Sequence, residues 1–321
     1  MANHIPVVDM HCDVLSKIQM NSELQFLNGP GLDVTQKRLE EGNVILQTFA
    51  IYLSEKLGIL RFEHIMKQIE IYNQLGLRLV QSREDVSYLR KQLNNLRGGQ
   101  WGLLSLEGVD GLEGNLYYLE LCYRLGVRFI GITWNYANWA ADGILEVRNG
   151  GFTNKGRTLI QRCNEIGMLM DVSHLSETGF WELADASSRP FIASHSNARS
   201  ICPHPRNLTN DQIRAVIALD GRIGMTFVPW FIKEKGPVNA SDLLKHIERV
   251  CELGGEKHLM FGSDFDGIHE WIQGLEHSGT YPELVNLLLK HYPESVVRGF
   301  MYDNILSFME ENLNSKELCS D

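Results

Sequence analysis

The chain has 321 residues, of which 44% are apolar and 22% charged, the composition of an ordinary globular protein able to bury a large core. No stretch approaches the roughly 18 to 20 apolar residues of a membrane span, so a soluble protein is expected. The net charge of -10 argues against a nucleic-acid partner, because phosphate backbones are bound through clustered Lys and Arg.

In chain order, apolar periodicity predicts strands near 5–10, 43–52, 101–106, 127–133, 168–173, 190–194, 222–228 and 258–263. Helical patterns fall near 59–75, 84–97, 115–125, 155–166, 177–186, 210–219, 241–253, 282–290 and 294–312, some opened by Asn, Ser or Asp and several closed by Gly. This alternation favours a parallel sheet, and several strands are the continuous apolar runs expected when both faces are covered. No Pro/Gly/Ser-rich linker divides the chain, and no glycine-rich phosphate loop follows an early strand. A single α/β domain over 1–321, built as a (β/α)8 TIM barrel, is therefore preferred to a doubly wound sheet.

Five of the apolar runs end on metal-binding residue types. The first, Val8-Asp9-Met10-His11-Cys12-Asp13, places His11 and Asp13 on one face of an extended strand. The others are Ser105-Leu106-Glu107, Asp171-Val172-Ser173-His174, Ala193-Ser194-His195 and Gly262-Ser263-Asp264. In a barrel the C-terminal strand ends share one mouth. His11, Asp13, Glu107, His174, His195 and Asp264 are thus expected to converge there.

Imidazole nitrogen and carboxylate oxygen suit zinc, and equally manganese, iron or cobalt. The six cysteines include no CxxC pair, so neither a structural zinc ribbon nor a disulfide framework is expected. Strand alternation turns Cys12 away from its two neighbours, as a buried small hydrophobe. Three histidines with Asp13 and Glu107 make five donors, more than one tetrahedral ion uses, so two ions bridged by one carboxylate are expected. Two such ions lower the pKa of a shared water toward about 7 and polarise a carbonyl, which suits amide hydrolysis. A strand-end carboxylate would carry the proton; Asp264 and Asp266 have the same phase, and spacing does not choose between them. His64, His246, His258, His277 and His291 lie in helical or polar contexts and read as packing or solvated residues.

The motifs His11-Cys12-Asp13, Glu107-Gly108, Asp171-Val172-Ser173-His174, Ser194-His195-Ser196, Arg206-Asn207 and Gly262-Ser263-Asp264-Phe265-Asp266-Gly267 resemble, in this order and over nearly the whole chain, the membrane (renal) dipeptidase family of metal-dependent hydrolases. The resemblance implies a dipeptidase with two zinc ions, one on His11 and Asp13, the other on His174 and His195, with Glu107 bridging. It further implies that Asp264 is the acid/base residue, that Arg206 receives the free carboxylate of the dipeptide, that a D-residue is tolerated at the second position, and that the protein is a homodimer.

Two departures stand out. Many members carry a histidine that contacts the substrate carbonyl, where this chain reads Ile132-Thr133-Trp134-Asn135. Trp134 can donate one hydrogen bond but accept none, which makes Asn135 or His204 the substitute donor. The competing enzymatic reading is another amidohydrolase, an N-acyl-amino-acid hydrolase or lactonase; a metal-binding protein without catalysis is the remote one. The second departure is the lack of a hydrophobic tail in residues 314–321 to direct a lipid anchor. With no signal-like N-terminal stretch, a cytoplasmic, bacterial-type member acting on a dipeptide or similar small molecule is expected.

Overall fold

The structure is a computed structural model that describes residues 5–316 apart from 94, 96 and 97. Its strands are β1 (Val7–Asp9), β2 (Val44–Tyr52), β3 (Arg78–Leu79), β4 (Trp101–Glu107), β5 (Val127–Gly131), β6 (Leu169–Asp171), β7 (Ile192–Ala193), β8 (Arg222–Met225) and β9 (Leu259–Phe261). Every pairing is parallel. Neighbours run β2-β1-β9-β8-β7-β6-β5-β4, and β4 returns to pair with β2, closing an eight-stranded (β/α)8 barrel. The short β3 lies against the start of β4, outside this ring.

The eight strands of the ring are the eight predicted from apolar runs. The long pair, β2 and β4, is buried almost throughout, as parallel strands covered on both faces must be. Six ring strands end earlier than predicted. After Asp171, for example, the chain turns instead of continuing to Ser173. Close approach fixes two glycines: a Cβ on Gly224 or Gly262 would lie 1.8 or 2.0 Å from the Ser194 carbonyl oxygen, so β8 and β9 can flank the end of β7 only without side chains there.

The opposite end of the barrel is held by two buried arginines. Arg128 donates to the carbonyls of Gln81, Tyr123 and Val127 and lies 4.0 Å over the Tyr123 ring. Arg222 donates to the carbonyls of Asp220, Gly221 and Asn304. Both satisfy backbone acceptors of connecting segments that would otherwise be buried without donors.

Most outer helices start where the sequence signals a cap: Thr153, Ser176, Thr209 and Asn239 each accept a first-turn backbone N–H. Three differences are physical. Val14–Met20, Gln36–Glu41 and Pro229–Ile232 are helices too short to display a period. The helix expected over 294–312 is interrupted by a π turn at Gly299–Asp303, which buries Phe300, Met301 and Tyr302. The helix expected over 84–97 ends at Lys91, and positions 94, 96 and 97 lie outside the described residues. Among the described residues, Cys12, Cys122, Cys163, Cys202 and Cys251 are free thiols, and no helix is long and apolar enough to cross a membrane. Cys319 lies outside them.

Candidate metal centre

The C-terminal mouth gathers all six strand-end residues expected there. Glu107 closes β4, His11 and Asp13 follow β1, His174 follows β6, His195 follows β7 and Asp264 follows β9. His11 Nε2 lies 3.4 Å from Asp13 Oδ2, 3.5 Å from Glu107 Oε2 and 3.8 Å from Asp264 Oδ1. On the other side of the same carboxylate, Glu107 Oε1 is 2.9 Å from His174 Nε2 and 3.7 Å from His195 Nε2. Glu107 thus stands between two donor groups, one containing His11 and Asp13, the other His174 and His195.

Hydrogen bonding fixes which histidine nitrogens face this space. Asp171, the last residue of β6, accepts from the backbone N–H groups of Ser173 and Ser194 and from the Ser194 hydroxyl. With its proton committed to that carboxylate, Ser194 Oγ must accept from His195 Nδ1, 2.7 Å away. His174 Nδ1 donates to Asn135 Oδ1 at 2.8 Å. Both Nε2 atoms are therefore left with lone pairs, facing one another at 2.9 Å beside the carboxylate of Glu107. Three lone pairs converging without a proton are repulsive alone and complementary to a cation.

The second group passes the same test. Among the described residues, His11 Nε2 and Asp13 Oδ1 are buried with no hydrogen-bond partner, a costly arrangement unless something positive binds there. Charge agrees. Burial alone would lower the His11 imidazole, but Glu107 and Asp13 raise it well above its usual range, so this pocket favours positive charge. Burial brings His174 down to about 4, with Arg206 adding to the effect, and takes His195 well below its usual value. Both are neutral at physiological pH, as a ligand must be. Burial would raise Glu107, but His11 and His174 hold it below the ordinary carboxylate range. The donor set of imidazole and carboxylate fits divalent zinc or a similar ion at both positions.

Asp264 and Asp266 have different surroundings. Asp266 accepts from the backbone N–H groups of Asp33 and Val34 and from Lys17 Nζ at 2.9 Å, so its carboxylate is occupied in pinning the 33–34 segment. Among the described residues, Asp264 accepts from no such backbone N–H or lysine, and it lines the cavity beside His11. Burial pushes its carboxyl well above the usual range, with His11 opposing and Asp13 and Glu107 adding to the rise. Both residues have φ near +70°, at 67° and 68°, so the extended-strand phase that made them look equivalent does not apply. Gly267 permits the approach: a Cβ there would lie 2.3 Å from Asp13 Oδ2 and 2.5 Å from Asp264 Oδ1.

A cavity of about 460 Å³ opens over the centre, lined in part by Tyr52, Trp134, Asn135, His204, Arg206 and Phe231. Arg206 is buried, held by the His195 carbonyl at 3.3 Å and by the Phe231 ring at 5.4 Å. Its Nε has no hydrogen-bond partner among the described residues. Burial lowers the guanidinium to about 10, which leaves it charged. His204 Nδ1 accepts from the Arg206 backbone N–H at 3.2 Å, so its other nitrogen carries the proton. Trp134 sits between Tyr52 and His174, with ring centres 5.2 and 6.2 Å away. The oxygen of Asn135 is committed to His174, a role that strand-end reading did not assign.

Also missed were the residues behind the donors. Asp9 accepts from the N–H groups of His11 and Ser263 and from the Ser263 hydroxyl, the arrangement Asp171 makes with Ser173 and Ser194. The signal was present twice: an Asp ending one apolar run, and a Ser immediately before a ligand-type residue on the run that pairs beside it.

Fold and site together define a metal-dependent hydrolase on a (β/α)8 barrel. Over residues 1–320 the sequence matches the family described as membrane dipeptidase (peptidase family M19), and the chain belongs to that family of metallo dipeptidases. It is 32% identical over 257 residues to an uncharacterized protein of the pqqA 5′ region of Klebsiella pneumoniae, covering 77% of this chain and 93% of that one. Among solved structures it resembles a dipeptidase described as an M19 metallo peptidase, with TM-score 0.88 and 26% identity over 98% of this chain and 100% of the other. It also resembles a metallo peptidase from Rhodobacter sphaeroides liganded with a phosphinate mimic of the dipeptide L-Ala-D-Ala, with TM-score 0.86 and 25% identity over 96% and 99%.

Proposed function

We propose that the barrel, acting as one domain, is a binuclear zinc dipeptidase that cleaves dipeptides with a free C-terminal carboxylate and tolerates a D-residue at the second position. The observation that carries this reading is the pair of donor groups on either side of Glu107, next to a buried arginine with an unpaired Nε. His11 and Asp13 would hold one ion, His174 and His195 the other, and Glu107 would bridge them. Ions bound there supply Lewis acidity toward a carbonyl oxygen and an activated water.

The remaining steps belong to the protein. Arg206 fixes the register by taking the substrate carboxylate, a task suited to its planar fork. Its placement by the His195 carbonyl and the Phe231 face means that little side-chain freedom is lost on binding. Asp264, at the cavity wall with a raised pKa, takes the proton from the attacking water and gives it to the leaving amine. His204, with its Nδ1 occupied, offers an N–H donor into the cavity in place of the histidine that Trp134 replaces. Recognition through carboxylate and scissile carbonyl leaves the second side chain lightly constrained, which supports D-tolerance; the Rhodobacter sphaeroides protein, liganded with a mimic of L-Ala-D-Ala, supports it too.

The test is an assay of L,L and L,D dipeptides beside N-acylated amino acids and lactones, before and after chelation. Hydrolysis of both dipeptide series, lost with chelator and restored by zinc, is expected. Turnover of acylated amino acids or lactones in preference to dipeptides would contradict the reading.

A further inference from the structure

We infer that Tyr52, Trp134 and Leu145 form the subsite for the side chain of the substrate's first residue, and that this subsite selects an apolar side chain. The inference rests on the reading above, in which the dipeptide carboxylate sits on Arg206. In the closed ring, β7 is four strands from β2 in either direction, so the two are opposite. Arg206 is tied to the end of β7 through the His195 carbonyl, and Tyr52 is the last residue of β2, paired with Glu107. Two extended residues span about 7 Å. A dipeptide pinned at Arg206, with its carbonyl over the centre at Glu107, therefore directs its first residue toward Tyr52.

The wall it meets there is uncharged. Trp134 bridges Tyr52 and His174 by ring contact, and Tyr136 backs it from outside at 6.5 Å. Leu145 is drawn to the same quadrant because its N–H donates to the Asn135 carbonyl at 2.8 Å. The loop closes this tightly only because position 143 is glycine; a Cβ there would lie 2.4 Å from the Trp134 carbonyl oxygen. Apart from Asp13 and Glu107 of the donor groups, the lysine, arginine and carboxylate side chains that line the cavity, Lys17, Arg206, Asp264 and Asp266, come from segments that follow β1, β7 and β9. An indole face rewards a flat or branched apolar group and leaves a buried carboxylate without a partner.

The test uses the zinc-loaded protein and compares kcat/KM for Gly-Ala, Leu-Ala, Phe-Ala, Lys-Ala, Glu-Ala and Gly-Leu in the wild type, Trp134→Ala, Trp134→Phe and Leu145→Ala. The ratio of Leu-Ala or Phe-Ala to Gly-Ala should be about 10-fold or more in the wild type. It should collapse in Trp134→Ala, fall partway in Leu145→Ala and persist in Trp134→Phe, while the Gly-Leu to Gly-Ala ratio holds. Ratios are internal to each variant, so a general loss of stability does not imitate the result. An equal drop for every substrate, a change confined to the Gly-Leu ratio, or a preference for Lys-Ala or Glu-Ala would overturn the subsite and leave the dipeptidase reading intact. Failure of the wild type to cleave any dipeptide would overturn both.

Discussion

Two corners of the barrel mouth solve one problem with the same parts, yet only one carries the solution through to a histidine ring of the proposed centre. Between β9 and β1, Asp9 gathers the amides of His11 and Ser263 and the Ser263 hydroxyl, which also reaches the His11 carbonyl at 3.1 Å. Between β6 and β7, Asp171 gathers the amides of Ser173 and Ser194 and the Ser194 hydroxyl, which meets the ring of His195. Where parallel strands stop pairing, buried amides need an acceptor, and both aspartates supply it. The first corner fixes backbone. The second also fixes a tautomer, so its carboxylate acts on the centre through one hydroxyl.

The largest expected effect comes from removing what both donor groups share. Glu107→Ala should lower bound zinc from two equivalents and reduce dipeptide turnover by more than about 100-fold, since even partners behind the ligands are worth 10- to 100-fold. Metal analysis with kinetics checks both. A variant that keeps two tightly bound ions would show that Glu107 is not the shared donor.

A pair of substitutions separates the roles of the two corners. Asp171→Asn should weaken zinc affinity about 10- to 100-fold through loss of the Ser194 relay, measured by competition with a chelating dye. Asp9→Asn should mainly destabilise the fold, by about 1–3 kcal/mol in denaturant unfolding. Equal effects on affinity would erase the distinction between the corners. A smaller change is expected from Asn135→Leu, which frees the His174 ring and should cost about 10-fold in zinc affinity, whereas Asn135→Asp retains an acceptor and should keep it.

The donors at the strand ends were legible because five of the apolar runs in the sequence stop at a histidine or carboxylate, and the barrel brings those stops to one mouth. His11 and Asp13 were readable as a pair since Cys12 between them still bridges to Phe265, so the extended geometry persists there. Asp264 and Asp266 were not separable, because the chain turns through left-handed φ after Ser263 and each carboxylate then meets different neighbours. Asn135 was singled out for the substrate, and its bond to His174 depends on a loop closure no local spacing reveals. Asp9 and Asp171 were hidden in plain view, reading as the last letters of strands when they are the acceptors that end them.

The smallest expected effect concerns Lys17 and is sensitive to pH. Burial pushes the Asp266 carboxyl up from its ordinary 3.8 to about 6 against the pull of Lys17. Between those values the folded state binds more protons than the unfolded one, so this group's contribution to stability declines as pH rises through that window. Above it, the buried charge depends on its amide donors and on Lys17, a third of whose side chain is exposed. Lys17→Met should therefore cost about 1 kcal/mol at pH 8 and less at pH 5, in denaturant unfolding at the two pH values. An equal loss at both would assign Lys17 a packing role only.

In the proposed centre, groups far apart in sequence hold two cations on either side of one glutamate. Anomalous diffraction at the zinc edge from crystals grown with zinc tests it directly. Two peaks are expected, one against His11, Asp13 and Glu107, the other against Glu107, His174 and His195. A single peak, or peaks away from Glu107, would contradict the account.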